Sequence, residues 1–210
     1  MDSEELQQIA IAAGVISFAF LIAQVGLRGL ATVPFTQLAV LFAMILSTVG
    51  LGFILHELAH KFVAQRFGAH AAFRAWPQGL VMALAFSIFG FVFAAPGAVY
   101  IYAPYLTRRQ NGLISVAGPL TNVLLSLGFF VLLIFSAGAS ATVSTAEASF
   151  FALPLLFQMA YIGSSVNLFL AFFNMLPFFP LDGAKVLAWN KWVWAAVTIP
   201  LVFSLFLIFF

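Results

Sequence analysis

The chain has 210 residues, of which 64% are hydrophobic and 7% charged, with no cysteine and a formal net charge of +2. A soluble domain carries roughly 25% charged residues, so this composition describes a protein that lies mostly in lipid and leaves no soluble domain of any size. Disulfides and thiolate metal sites are excluded, and the acidic N-terminus MDSEELQQ does not read as a cleavable secretory signal.

Spans are expected where apolar runs reach about 20 residues. The first is Ile9 to Leu27, followed by a short loop with Arg28 and Pro34. The second runs from Phe35 to Ala64. The stretch Gly79 to Tyr105 is apolar enough to cross, but it is rich in Phe, Val, Ile and Tyr and interrupted by Gly90, Pro96, Gly97 and Pro104. That pattern suits strands or a re-entrant segment, and non-helical backbone at membrane depth needs protein or a water-filled cavity to satisfy it. Two further spans are Leu113 to Phe135 and Phe150 to Met175. A last helix is expected over Gly183 to Phe210, kinked at Pro200. No internal repeat or linker divides the chain, so residues 1–210 are expected to form one integral-membrane domain.

The basic residues orient these spans. Cytoplasmic loops are enriched in Lys and Arg. If Gly79–Tyr105 enters and leaves by one face, then Lys61, Arg66, Arg74, Arg108, Arg109, Lys185 and Lys191 share that face and only Arg28 lies opposite. If the stretch crosses, Arg108 and Arg109 are separated from Lys61, Arg66 and Arg74. The re-entrant arrangement is therefore favoured, with five full spans, or six if the stretch crosses. It places the N-terminus in the cytoplasm and the four tryptophans, Trp76, Trp189, Trp192 and Trp194, in one interfacial belt. The fold class expected is an all-α polytopic membrane protein with a re-entrant or β-hairpin segment after the second span.

Only six acidic residues are present. Asp2, Glu4 and Glu5 are assigned to the N-terminal tail, and Glu147 to an outer loop. The other two, Glu57 and Asp182, sit at the edges of apolar helices, where an ionisable residue is a functional hypothesis by default. Glu57 belongs to His56-Glu57-Leu58-Ala59-His60. On a helix, residues i and i+4 share a face, so both imidazoles can bind one metal ion. Glu57 is near enough to take a proton from a water on that metal. Catalytic zinc sites combine three protein ligands with a water whose pKa falls to ~7. His56 lies about 30 Å along the helix from Phe35, which puts the site just inside the cytoplasmic boundary. The competing reading is an i,i+4 Glu57–Lys61 pair beside two incidental histidines.

Asp182 belongs to Asn174-Met175-Leu176-Pro177-Phe178-Phe179-Pro180-Leu181-Asp182-Gly183. Two prolines break the helix after Met175, and Asp182-Gly183 opens the next one on the face of His56. Asp182 is then available as the third zinc ligand. Taken alone, it reads better as an N-cap; beside a site that lacks one ligand at the same depth, the ligand reading is favoured.

The two motifs together resemble the site-2 protease family of intramembrane zinc metalloproteases, whose signatures are H-E-x-x-H on one membrane helix and N-x-x-P-x-x-x-L-D-G further on. The segment AGPLTN, Ala117 to Asn122, is similar to a G-P-x-x-N that members often carry. The resemblance covers about residues 36 to 190. It implies one Zn2+ per chain, bound by His56, His60 and Asp182, with Glu57 activating the water. It also implies that Asn174 lies beside the zinc and helps to hold substrate or oxyanion, and that Asn122 braces the substrate groove. The implied substrate is a transmembrane protein, of a single span, cut within or near its membrane segment close to the cytoplasmic face. A strand segment after the H-E-x-x-H helix is thought to receive it as an added strand, which agrees with the reading of Gly79–Tyr105. The PDZ and CBS modules of many members have no room here. A multi-pass protein of the cell membrane is expected, with the lipid bilayer and the membrane substrate as partners and no nucleic acid.

Three rivals were weighed. A divalent-metal transporter would need a second polar layer, and the outer halves of the spans supply none. A non-catalytic relative that binds membrane helices is opposed by the presence of all the ligands and the base. A tethered protease acting on soluble chains would need a cytosolic catalytic domain. The remaining features read blandly: His70 in a polar interfacial loop, the 27 phenylalanines as packing and lipid-facing surface, and Tyr100, Tyr102 and Tyr105 with Arg108 and Arg109 as an interfacial anchor.

Overall fold

The architecture was read from a computed structural model that describes residues 1–92, 96–103, 105–140 and 150–209. Helix α1 spans Ser3–Thr32. A nearly unbroken rod follows, made of α2 (Phe35–Ile45), a π turn (Leu46–Gly50) and α3 (Leu51–Arg66). Strand β1 (His70–Ala75), helix α4 (Pro77–Ser87) and strand β2 (Gly97–Tyr102) come next. Helices α5 (Arg108–Ser140), α6 (Leu155–Asn174), α7 (Asp182–Trp189) and α8 (Lys191–Phe209) complete the chain.

Among the described residues, four helices are long and apolar enough to cross a membrane: Ser3–Thr32, Phe35–Arg66, Arg108–Ala137 and Leu155–Asn174. Shorter apolar helices cover Pro77–Ser87 and Lys191–Leu207. The helices were placed by their apolar runs, but two boundaries differ for local reasons. The last helix breaks at Asn190, whose backbone is extended (φ −153°, ψ 108°), rather than at Pro200. Asn190 turns its side chain to the next helix, where Oδ1 accepts the Trp192 and Val193 N–H groups as an N-cap does. Helix α1 is broken at Gly26, which adopts a positive φ of 68° that glycine takes at little cost. The outer loop expected around Glu147 lies outside the described residues.

The class is not purely α-helical. The two strands pair antiparallel, with Phe73 opposite Val99 and Ala75 opposite Gly97. His70, read as part of a polar loop, opens β1 instead, and the pairing begins nine residues before the segment Gly79–Tyr105. Between the strands the chain runs beside α1, where Ala83 and Val92 pack on Ala19. Parts of this excursion, at 93–95 and 104, lie outside the described residues.

Two apolar clusters flank the centre of the molecule. In one, Ile9, Ala13 and Ile16 of α1 meet Leu41, Ile45 and Phe53 of the α2–α3 rod. In the other, Val116 of α5, Leu168 and Ala171 of α6, Val186 of α7 and Leu201 of α8 come together. The polar residues described below lie between them.

The first turn of α1 is a structural element rather than a tail. Asp2 Oδ1 accepts the Glu5 N–H at 2.7 Å and caps the helix. That backbone bond holds the Asp2 carboxyl below its usual range. Glu5 is buried, and its two carboxylate oxygens each receive Lys61 Nζ at 2.6 Å. Lys61 therefore pairs with Glu5 across the fold, not with Glu57 on its own helix. Glu5 Oε1 also accepts the Phe73 N–H at 2.9 Å, and Gln8 Oε1 accepts the Ala75 N–H at 2.9 Å. Glu4 meets Arg74 at 3.0 Å. One face of α1 thus covers the outer edge of β1, an edge that would otherwise expose unpaired backbone groups.

Removing one partner of a buried ion pair leaves an uncompensated charge and costs about 3–5 kcal/mol, whereas neutralising both costs far less. Glu5→Ala is expected to lower unfolding stability in detergent by that amount. Glu5→Gln combined with Lys61→Met, which keeps an acceptor for the Phe73 N–H, is expected to recover most of it. Equal stability for wild type and Glu5→Ala would contradict the buried pair.

Candidate metal centre

His56 and His60 occupy successive turns of α3 and face α5. Each ring is fixed through Nδ1. His60 Nδ1 lies 2.7 Å from the Ile114 carbonyl oxygen, which can only accept, so Nδ1 carries the proton. His56 Nδ1 lies 2.6 Å from Asn122 Oδ1 and donates to it. Both Nε2 atoms are left as lone-pair donors, and they sit 3.0 Å apart.

Asp182, the first residue of α7, brings its Oδ2 to 3.0 Å from His60 Nε2 and 3.4 Å from His56 Nε2. The helix is capped by Leu181, and no side chain bonds its first turn, so Asp182 does not serve as an N-cap. His56, His60, Glu57 and Asp182 are all less than a tenth exposed.

Three electron-pair donors thus converge in a buried site. In a tetrahedral zinc site with bonds of about 2.0–2.1 Å, neighbouring ligand atoms lie about 3.3 Å apart. The observed separations of 3.0, 3.0 and 3.4 Å bracket that value. Both histidines also make the Nδ1–H bond that metal-ligating histidines generally make. Gly118, next to Pro119 within α5, leaves the room: a Cβ there would land on the Nε2 atoms of both histidines. Among the described residues, this is one group of His and acidic side chains able to hold a metal. The donor set fits a divalent ion with nitrogen and oxygen ligands.

Glu57 lies beside these groups on the same helix. The Val99 backbone N–H reaches its carboxylate, and among the described residues Oε2 has no hydrogen-bond partner. An orphaned buried carboxylate oxygen next to an open cleft is costly and is placed to handle a proton. The cleft is lined by Phe53 of α3, Val99 and Ile101 of β2, and Phe173 and Asn174 of α6, as well as by the cluster itself. Phe73 and Ala75 turn their N–H groups away from β2, toward α1. Their partners Val99 and Gly97 must then turn their own backbone groups away from β1, and both residues line the cleft. The far edge of the sheet therefore borders the metal-binding group.

Of the residues singled out in the sequence, His56, Glu57, His60 and Asp182 meet in one place. Asn174 lines the same cleft, but its Nδ2 donates to the Leu170 carbonyl one turn back at 3.0 Å. Asn122 is not merely a brace of the groove; it touches His56 directly. Two further residues escaped notice. Asn167 donates nothing to the cleft but bonds Asn122 at 2.9 Å. Lys185 reaches Asp182 Oδ1 at 3.4 Å and lines the cleft, a placement its i,i+3 spacing from Asp182 could have suggested.

The profile of peptidase family M50 matches residues 42–198, which contain every residue of this cluster. A provisionally named zinc metalloprotease of Methanocaldococcus jannaschii is 47% identical over 171 residues, 80% of this chain and 82% of the relative. YwhC of Bacillus subtilis, likewise provisionally named a zinc metalloprotease, is 32% identical over 67% of this chain and 65% of its own length. Rip3 of Mycobacterium tuberculosis, named in the same way, is 31% identical over 65% of this chain, which spans only 28% of it. No solved structure gives a significant match. With three-quarters of its length inside the profile and the metal-binding cluster at the centre of the match, the chain belongs to peptidase family M50.

Proposed function

We propose that this protein is an intramembrane zinc metalloprotease that hydrolyses peptide bonds within or near the membrane segments of other membrane proteins, close to the cytoplasmic face. The observation that carries this reading is the convergence of His56 Nε2, His60 Nε2 and Asp182 Oδ2 beside the unpartnered Glu57 oxygen. His56, His60 and Asp182 hold the ion. Zinc bound there supplies Lewis-acid activation of water and of the scissile carbonyl.

The chain's own groups do the remaining work. Glu57 takes the proton from the attacking water and delivers it to the leaving amine. Asn174 turns its amide from Leu170 toward the cleft and donates to the carbonyl oxygen as charge develops there. A substrate helix must unwind locally to expose its peptide bond, and the freed backbone groups need partners at membrane depth. The cleft-facing edge of β2 offers them, by addition of the substrate as a strand. Such pairing would engage the Val99 N–H that lies toward Glu57 and leave the carboxylate to the attacking water.

The orientation rests on charge and on which ends meet. Glu5 of α1 touches Lys61 near the end of α3, and Asp182, after α6, touches His60. Lys61, Arg66, Arg74, Arg108, Arg109, Lys185 and Lys191 all belong to the elements at this end, a bias that supports a cytoplasmic orientation for it by the positive-inside rule. The excursion between β1 and β2 is then re-entrant. It reaches Ala19, about 21 Å along α1 from Glu5, and returns to pair with its own beginning.

The test is a cleavage assay in mild detergent with a single-span test protein, read by mass spectrometry. Wild type is expected to cut, and a zinc chelator to stop it reversibly. Glu57→Gln is expected to retain one zinc per chain while cleavage falls by at least 100-fold, the lower end of what a general base contributes. Cleavage by that variant at the wild-type rate would remove Glu57 from the mechanism. Asp182→Asn and Gly118→Ala are both expected to lose zinc, the first by weakening a ligand and the second by filling the space at the two Nε2 atoms. Metal analysis of the purified variants checks this, and full zinc content in Gly118→Ala would show that the ion lies elsewhere.

A further inference from the structure

We propose that Asn167 is a positioning residue for the metal centre, acting through Asn122 to fix the tautomer and ring orientation of His56. This rests on the zinc reading above. Asn167 is fully buried and is separated from His56 by the whole side chain of Asn122. Its Nδ2 donates to the carbonyl oxygens of Gly163 at 2.8 Å and Thr48 at 3.4 Å. Both partners can only accept, so the amide has one sensible orientation. Oδ1 must then face Asn122, whose Nδ2 donates to it at 2.9 Å and to the Gly52 carbonyl at 3.3 Å.

With both Asn122 amide hydrogens committed, Asn122 Oδ1 can only turn toward His56 Nδ1. The relay therefore runs one way, from fixed backbone carbonyls to a proton on Nδ1 and a lone pair on Nε2. Reversing either amide would set oxygen against oxygen in a buried site, leaving polar groups unpaired. His60 needs no such relay, because the Ile114 carbonyl meets it directly. The elements are brought close for the purpose. A Cβ on Gly52 would collide with the Asn167 amide, and Thr48, whose carbonyl anchors the relay, lies in the π turn of the rod.

The test measures zinc affinity by competition with a chromophoric chelator, without substrate. Loss of a residue supporting a metal-bound histidine typically costs 10–100-fold in affinity, and Asn167→Leu is expected to bind zinc that much more weakly than wild type. Asn122→Asp keeps an acceptor for Nδ1–H and, as the neutral acid favoured by burial, donates its O–H to the Gly52 carbonyl, so it needs no orienting partner. The double variant Asn122→Asp with Asn167→Leu is therefore expected to return to within about threefold of wild type. Nitrogen-15 NMR of the metal-free histidines should show the Nδ1–H tautomer of His56 in wild type and in the double variant, and a mixture in Asn167→Leu. Should Asn167→Leu fail to fold, Asn167→Ser, too short to reach Asn122, replaces it. Undiminished zinc affinity in Asn167→Leu overturns the relay, as does a double variant that stays weak, which would assign the loss to packing. A wild-type protein with no measurable zinc affinity overturns instead the metal reading on which the relay depends.

Discussion

Two imidazole lone pairs and a carboxylate oxygen cannot share a buried space of this size without a positive charge between them. Their spacing of 3.0–3.4 Å is the constraint around which the rest of the chain is organised. Three different elements are needed to meet it: α3 for the histidines, α7 for the aspartate, and α5 to pass closely enough to fix both rings. Close passage explains Gly118, and the arrival of α7 explains the proline-rich turn after α6. Water is not plentiful in lipid, so every group that is not aimed at the ion must find its partner within the protein. The buried asparagines, the Ile114 carbonyl and the Glu5–Lys61 pair all answer that requirement.

The chemistry was legible in the sequence because it depends on spacing along one helix and on a short motif. His56 and His60 share a face at i,i+4 whatever the tertiary fold. The break at Pro177 and Pro180 puts Asp182 at a helix start, within reach of His56 and His60. Four apolar helices, at Ser3–Thr32, Phe35–Arg66, Arg108–Ala137 and Leu155–Asn174, were legible for the same reason, since apolar length is a local property. Asn190 shows where locality misleads: the proline at 200 is tolerated within α8, while a capping asparagine ends α7 without any strong sequence signal.

What the sequence did not disclose is contact between distant segments. Glu5 looked like part of a solvated tail because it follows Asp2 and Glu4, and nothing nearby indicates that Lys61, 56 residues away, needs a counter-charge. Asn167 stands between apolar neighbours in its helix, with no motif around it. Its signal was present in weak form, since an uncharged amide at membrane depth must be bonded to something, but its partner Asn122 lies 45 residues earlier. The strand β1 was hidden because HAAFRA lacks the β-branched residues that usually mark a strand. Its edge is held instead by side chains of α1.

That one-sided covering of the sheet has a consequence for the products. With β1 sealed by Glu5 and Gln8, a guest chain that bound as proposed would join along β2, and along such an edge backbone carbonyls point alternately inward and outward. Only every second peptide bond of such a guest would then be turned toward Glu57. A substrate that slips along the edge without turning over would be trimmed in steps of two residues, and the ladder of fragment lengths would carry the phase of the strand that presented it.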